Sequence, residues 1–215
     1  MTYPRTMRAM LLASALALAP AAWAETPADT LVVAHTIDDI ISLDPAVSFE
    51  FAGNDVNNNT YDRLVDFNPL DPDAGFQPSL ATEWAVSEDG LSITFTLRED
   101  ATFHSGNPVR AADAAWSLQR AVKLDKTPAF ILTQFGFTAD NVDQMITADG
   151  NTLTLTMDKP YAPTFVLNCL TANIASVVDM ETVMANEVDG DMGNAWLNTN
   201  EAGSGAYVLS AWRPN

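Results

Sequence analysis

Two stretches of alternating apolar and polar residues organise the middle of the chain. In EWAVSEDGLSITFTLRE, Leu91, Ile93, Phe95 and Leu97 alternate with Ser92, Thr94, Thr96 and Arg98. A period of two predicts a strand with one buried and one wet face. Asp89-Gly90 ahead of it is a hairpin turn signal. The design recurs in DQMITADGNTLTLTM (143–157), where Leu153, Leu155 and Met157 alternate with threonines behind Asp149-Gly150. Both hairpins are expected to share one small sheet.

The remaining elements follow from composition and punctuation. VRAADAAWSLQRAV (109–122) is alanine-rich and predicts a helix between the hairpins. LVVAHTI (31–37) is a continuous apolar run of strand length, expected to be buried on both faces. Pro45 cannot donate to a ladder and ends that strand. In residues 54–66, Val56, Tyr61, Leu64 and Val65 largely fit one helical face. FNPLDPDAGFQP, with three prolines and a glycine, predicts a loop. The chain turns apolar from Phe165 to Val178, after Pro160 and Pro163. Gly203-Ser204-Gly205 predicts a turn, and AYVLSAW after it a strand. Strands and helices mix without a strict βαβ beat, so the expected class is α/β or α+β with an inserted small sheet.

The first two dozen residues differ from the rest. MTYPRTMR carries Arg5 and Arg8 and no acid, AMLLASALALA is apolar, and Ala22 and Ala24 flank Trp23 as a small-residue cleavage signal. This order is that of a secretory leader, residues 1–24. The apolar run falls short of the roughly 20 residues that a membrane span needs. The mature chain is therefore expected to be soluble rather than membrane-embedded.

Composition narrows the partners. The formal net charge of −18 disfavours nucleic acid, which requires a basic surface. The 47% hydrophobic content, with ten Phe and five Trp, suffices for a core. The one cysteine, Cys169, cannot close an internal disulfide and lies far from the leader, so no lipid-anchor cysteine follows the cleavage site. Export without such an anchor predicts a Gram-negative periplasmic location.

Catalytic readings meet specific obstacles. His104 and Ser105 are adjacent in ATFHSGNPV, and neighbours in an extended segment point apart. A Ser/His dyad needs its two side chains within hydrogen-bond reach. AGSGA (202–206) lacks the glycine spacing of a nucleophile elbow. His35, His104 and Cys169 are too scattered for a zinc site. Residues 71–75, DPDAG, lack calcium-loop spacing, and no glycine-rich phosphate loop is present. No metal, cofactor or catalytic residue is predicted. A carboxylate-based secreted hydrolase is the alternative from another class, and no Asp/Glu pair stands out from the acidic background to support it. A sensor domain built on a binding-protein scaffold is the third reading.

Several motifs, in order, resemble family 5 solute-binding proteins of ABC importers, the peptide- and nickel-binding group. They are LVVAHTIDDIISLDPAV, NNNTYDRLVDFNP, the long PSLATEWAVSEDGLSITFTLREDATFHSGNPVRAADAAWSLQRA, LTLTMDKPYAP and EAGSGAYVLSAW. The long segment carries W-x-V-S-x-D-G and F-H-x-G-x-P. One departure is Arg110, which stands where a Ser or Thr cap is usual and has no oxygen to accept from the helix amides.

The resemblance implies a type II periplasmic-binding-protein fold, with two lobes closing on a ligand by hinge motion. Residues 25–46 and 165–215 would form the core of the first lobe. Residues 47–164, with both hairpins, would form an inserted subdomain. Members are more than twice this length, so the chain reads as a fragment or truncated product lacking the second lobe. The implied role is binding of di- or oligopeptides and delivery to the transmembrane subunits of a permease, by a monomer and without enzymatic activity. Nickel complexes, opines and oligosaccharides are also bound within the family. By position after SLDPA, Phe49, Glu50 and Phe51 would line the cleft, with Glu50 facing a peptide ammonium group. Asn168 and Cys169, where the chain re-enters the core, are further candidates. His104 is expected to hydrogen-bond locally, with Phe103 anchoring its loop.

Overall fold

The computed structural model describes residues 26–68 and 70–213. The predicted leader, residues 1–24, lies outside the described residues. The chain divides into two compact units, one ending at His35 and one from Thr36 onward. In the first, residues 26–35 have no helix or strand, and a single turn joins the Thr30 amide to the Pro27 carbonyl at 3.0 Å.

The second unit is built on the two alternating stretches. Strands β3 (Ala81–Val86) and β4 (Ser92–Leu97) form the first hairpin; β5 (Ile146–Asp149) and β6 (Thr152–Thr156) form the second. They join through β4 and β6 into one antiparallel sheet of order β3-β4-β6-β5, with Phe95 opposite Leu153 and Ile93 opposite Leu155. Those four side chains are buried. The other face carries the threonines, where Thr94 and Thr154 hydroxyls meet at 3.3 Å. Two short strands, β1 (Val65–Phe67) and β2 (Phe76–Pro78), pair as a separate ribbon.

Helix α2 (Ala111–Leu124) covers the apolar face of the sheet. Its buried stripe is Ala111, Ala114, Ala115, Leu118, Ala121 and Val122. Small residues allow close approach, close enough for Gln119 Nε2 to donate to the Ile146 carbonyl at 2.7 Å. Arg110 provides no side-chain cap. Instead Asp113 accepts the Arg110 amide at 2.9 Å, so the reciprocal half of a capping box does the work. Burial raises the Asp113 carboxyl, and the bond from the Arg110 amide opposes that.

The rest of the unit is made of short helices: α1 (Phe51–Thr60), α3 (Phe130–Thr133), α4 (Val142–Met145), α5 (Pro163–Leu170), α6 (Met180–Met184) and α7 (Asn194–Leu197). A single-turn 3-10 helix, Asn173–Ala175, follows α5. Buried apolar residues from the sheet, α2 and α5 form one continuous core.

Four expected elements differ. The loop expected over 67–78 holds a 3-10 turn, Pro72–Ala74, and strand β2, because Phe76–Pro78 pairs with β1. Residues 31–37 form no strand, and Leu31, Val32 and Val33 are exposed. An extended run is stable as a strand only against a laddered neighbour, and no described strand pairs with it. AYVLSAW likewise forms no strand: Tyr207 and Val208 are exposed. The amides of Gly205 and Tyr207 instead donate to the Thr60 and Asn59 carbonyls at 3.0 and 2.9 Å. Those carbonyls belong to the last turn of α1 and have no partner within the helix. Finally, the helix expected over 54–66 is α1, which ends at Thr60. Three asparagines and a threonine at 57–60 favour termination, and Tyr61, Leu64 and Val65 are buried from non-helical backbone.

Candidate functional site

The segment holding Phe49, Glu50 and Phe51 is delivered by a rigid turn. Asp44 Oδ1 accepts the Ala46 amide at 3.0 Å, and the Asp44 carbonyl accepts the Val47 and Ser48 amides at 2.9 and 2.8 Å. Leu43 is tied to the Asn198 carbonyl at 3.2 Å. Beneath the turn lies a fully buried ion pair. Arg120 of α2 reaches Asp44 with both terminal nitrogens, and Arg120 Nε donates to the Met192 carbonyl at 2.8 Å. Asn194 Nδ2 adds a bond to Asp44 Oδ2 at 2.7 Å. The Ser-Leu-Asp-Pro turn is thereby locked to α2 and to the segment before α7.

The chain emerges from this turn with its aromatic residues outward. Phe51, the first residue of α1, is 88% exposed, and Phe49 is 48% exposed. Glu50 between them bends back: its carboxylate accepts the Ile41 amide at 2.8 Å and the Phe49 amide at 2.6 Å. It closes the 41–50 loop and holds a negative charge beside the two rings.

Helix α3 connects the two sets of predicted residues. Phe130, 57% exposed, stacks edge-to-face on Phe49 with ring centres 5.8 Å apart. Gln134, which ends α3, places Nε2 3.5 Å from Cys169 Sγ on α5. Phe49 and Cys169, far apart in sequence, thus meet opposite ends of one short helix. Asn168, beside Cys169, is exposed. Phe130 and Gln134 did not emerge from the sequence reading. The available signal was the aromatic directly after Thr-Pro-Ala, where a proline at 128 starts a helical turn and leaves Phe130 at its surface.

Burial raises the Cys169 thiol, against a smaller lowering by Gln134, so at neutral pH it is a weakly polar group rather than a thiolate. The aromatic rings supply apolar contact area and the Glu50 carboxylate a negative charge.

His104 and Ser105 are separated by their partners. His104 does not bond locally: its Nδ1 lies 2.8 Å from Glu201 Oε1 and its Nε2 2.9 Å from the Gly205 carbonyl. The Ser105 hydroxyl donates to Asp179 at 2.6 Å. Each side chain of the loop fastens a distant segment, and Phe103 anchors it in the core as expected. Among the described residues, no group of three or more His, Cys, Asp or Glu is placed to hold a metal ion, and no helix is long and apolar enough to cross a membrane.

Comparison with known proteins agrees with the motifs. Residues 75–215 match the family model for bacterial extracellular solute-binding proteins, family 5, middle region. The chain is 33% identical over 212 residues, 97% of its length, to the probable D,D-dipeptide-binding periplasmic protein DdpA of Escherichia coli. It is 31% identical over 218 residues to the periplasmic murein peptide-binding protein MppA of the same organism. Both alignments span 38% of the relative's length. The solved E. coli murein tripeptide-binding protein MppA superposes with a TM-score of 0.66 at 31% identity, over 81% of this chain and 34% of that one. The chain therefore belongs to solute-binding protein family 5, and its mixed α/β architecture is that of part of a family lobe.

Proposed function

We propose that the protein is a periplasmic solute-binding component of an ABC importer for small peptides, and that this chain supplies one wall of its ligand cleft. Residues 25–46 and 165–215 would make the lobe core, and residues 47–164 the inserted subdomain. Phe49, Glu50, Phe51, Asn168 and Cys169, with Phe130 added from the geometry, are the proposed ligand contacts. The protein would act as a monomer, reach the periplasm through the leader at residues 1–24, and deliver its ligand to the permease. Relatives named for binding a D,D-dipeptide and a murein peptide support the peptide class.

The observation that carries the reading is the exposed Phe49–Phe130 pair beside the Glu50 carboxylate, with Phe49 and Glu50 delivered by the locked turn and Phe130 by α3. An ammonium group near Glu50 and an apolar side chain on the rings fit one end of a short peptide. Calorimetric titration of the full-length protein with di- and tripeptides tests this. Peptides with a free amino terminus should bind, and Phe130→Ala should weaken them by about tenfold, as expected for losing one aromatic contact of about 1.4 kcal/mol. Absence of peptide binding, with tight binding of a non-peptide solute, would overturn the ligand class.

A further inference from the structure

Buried polar groups without a protein partner gather at one place in the second unit. Among the described residues these are Ser48 Oγ, both amide atoms of Asn57, Arg63 Nε and Ser176 Oγ. All belong to helix α1 or to segments beside it. Ser48 precedes the helix, and Asn57 lies on its inward face. Arg63 follows it and donates to Asn58 Oδ1 at 3.2 Å and Asn173 Oδ1 at 2.9 Å. Asn173 reaches back to Asn54 Oδ1 at 3.1 Å, and Ser176 ends the same 3-10 turn.

The inward face of α1 explains why these groups are together. Its buried residues are Ala52, Gly53, Asn57 and Thr60, with no large apolar side chain among them. The helix is not seated by hydrophobic packing. Gly53 and Asn57 are one turn apart and share a face. A Cβ at Gly53 would overlap Ser48 Oγ, so the Ser48 hydroxyl lies against the same face as the Asn57 amide. A buried amide and hydroxyl without partners are costly. A water molecule both donates and accepts, and polar internal sites of this kind hold ordered water.

We propose that the seam beneath α1 is a hydration site, with a water molecule bound between Ser48 Oγ and the Asn57 side-chain amide. Arg63 Nε and Ser176 Oγ mark the other end of the seam. Helix α1, which starts with Phe51 and follows Glu50, is then held by exchangeable hydrogen bonds rather than by interlocked apolar side chains.

Magnetic relaxation dispersion of water on the full chain counts water molecules held longer than the protein tumbles. The amplitude should fall in Asn57→Leu and in Ser48→Ala, and stay at the wild-type value in Asp140→Asn, a change at an exposed position. Ser48→Ala, the smaller change, keeps the test valid if Asn57→Leu fails to fold. Wild-type amplitude in Ser48→Ala overturns the proposal. So does a crystal structure in which the Asn57 amide bonds directly to protein groups; one with a water within hydrogen-bond distance of both Asn57 and Ser48 supports it.

Discussion

Arg120 grips Asp44 through two hydrogen bonds of 2.9 and 2.6 Å, with side-chain exposures of 1% and 0%. Trp116, one turn earlier on α2, places its ring 5.7 Å from the guanidinium. A buried pair of this kind is strongly destabilising to break, because the survivor becomes an unpaired buried charge. Asp44→Ala or Arg120→Ala should each cost about 3–5 kcal/mol in urea unfolding. The double change Asp44→Ala/Arg120→Ala should cost less than the sum of the two, because no lone charge remains. Additive losses would show that the two side chains act independently.

The loop carrying His104 makes a second long-range fastening. Both ring nitrogens face oxygens of the 201–205 segment, and Glu201 is almost fully buried, at 7% exposure. His104→Ala leaves Glu201 Oε1 without this partner, while Glu201 Oε2 keeps the Gly203 amide at 2.7 Å. The expected loss is about 1–3 kcal/mol, the cost of an orphaned buried acceptor. Hydrogen exchange should locate the loosening at residues 201–207. Protection unchanged there would mean that the Gly205 and Tyr207 amide bonds to α1 suffice by themselves.

Gly205 of that segment lies tightly against the end of α1. A Cβ there would stand 2.6 Å from the Thr60 carbonyl carbon and 2.7 Å from the Asn59 carbonyl oxygen. These are backbone atoms that cannot rotate aside. Gly205→Ala should therefore destabilise by at least about 1–3 kcal/mol, the usual range for overpacking. Thermal unfolding of the variant measures it. An unchanged midpoint would show that the 201–207 segment can shift without loss.

Local pattern and tertiary partnership explain what the sequence revealed and what it hid. The two hairpins and α2 were legible because period-two alternation, Asp-Gly turns and an alanine-rich run are local signals. Residues 31–37 and 206–212 have strand composition but no ladder among the described residues, and pairing is not a local property. The Asp44–Arg120 lock was invisible for the same reason: the partners stand far apart in sequence and neither belongs to a motif that announces the other. At the candidate site, the position after Ser-Leu-Asp-Pro pointed to Phe49–Phe51, whereas Phe130 is identified only by the ring that it touches. The backward bend of Glu50 onto two amides is also a tertiary feature, since nothing in Ser-Phe-Glu-Phe distinguishes a loop-closing carboxylate from a free one.

Asp179 makes stability depend on pH in the acid range. Burial by itself would raise its carboxyl. The Ser105 hydroxyl, the Thr182 hydroxyl and amide, and Asn107 Nδ2 outweigh that and hold it below the usual carboxylate value. The carboxylate is thus favoured in the folded chain more than in the unfolded one. Its contribution is complete above the unfolded value of about 3.9 and disappears as the pH falls through the lower folded value. Asp113 acts in the opposite sense. Its raised carboxyl binds a proton more readily when folded, so that contribution declines as the pH rises through the same region. Urea unfolding of wild type and Asp179→Asn at pH 3, 4, 5 and 6 separates the two. The variant should be less stable than wild type at pH 6 and pH 5, and the gap should narrow between pH 4 and pH 3. Asp113→Asn should instead steepen the acid loss. A gap between wild type and Asp179→Asn that stays constant from pH 6 to pH 3 would show that the hydrogen bonds at Asp179 do not favour its ionised form.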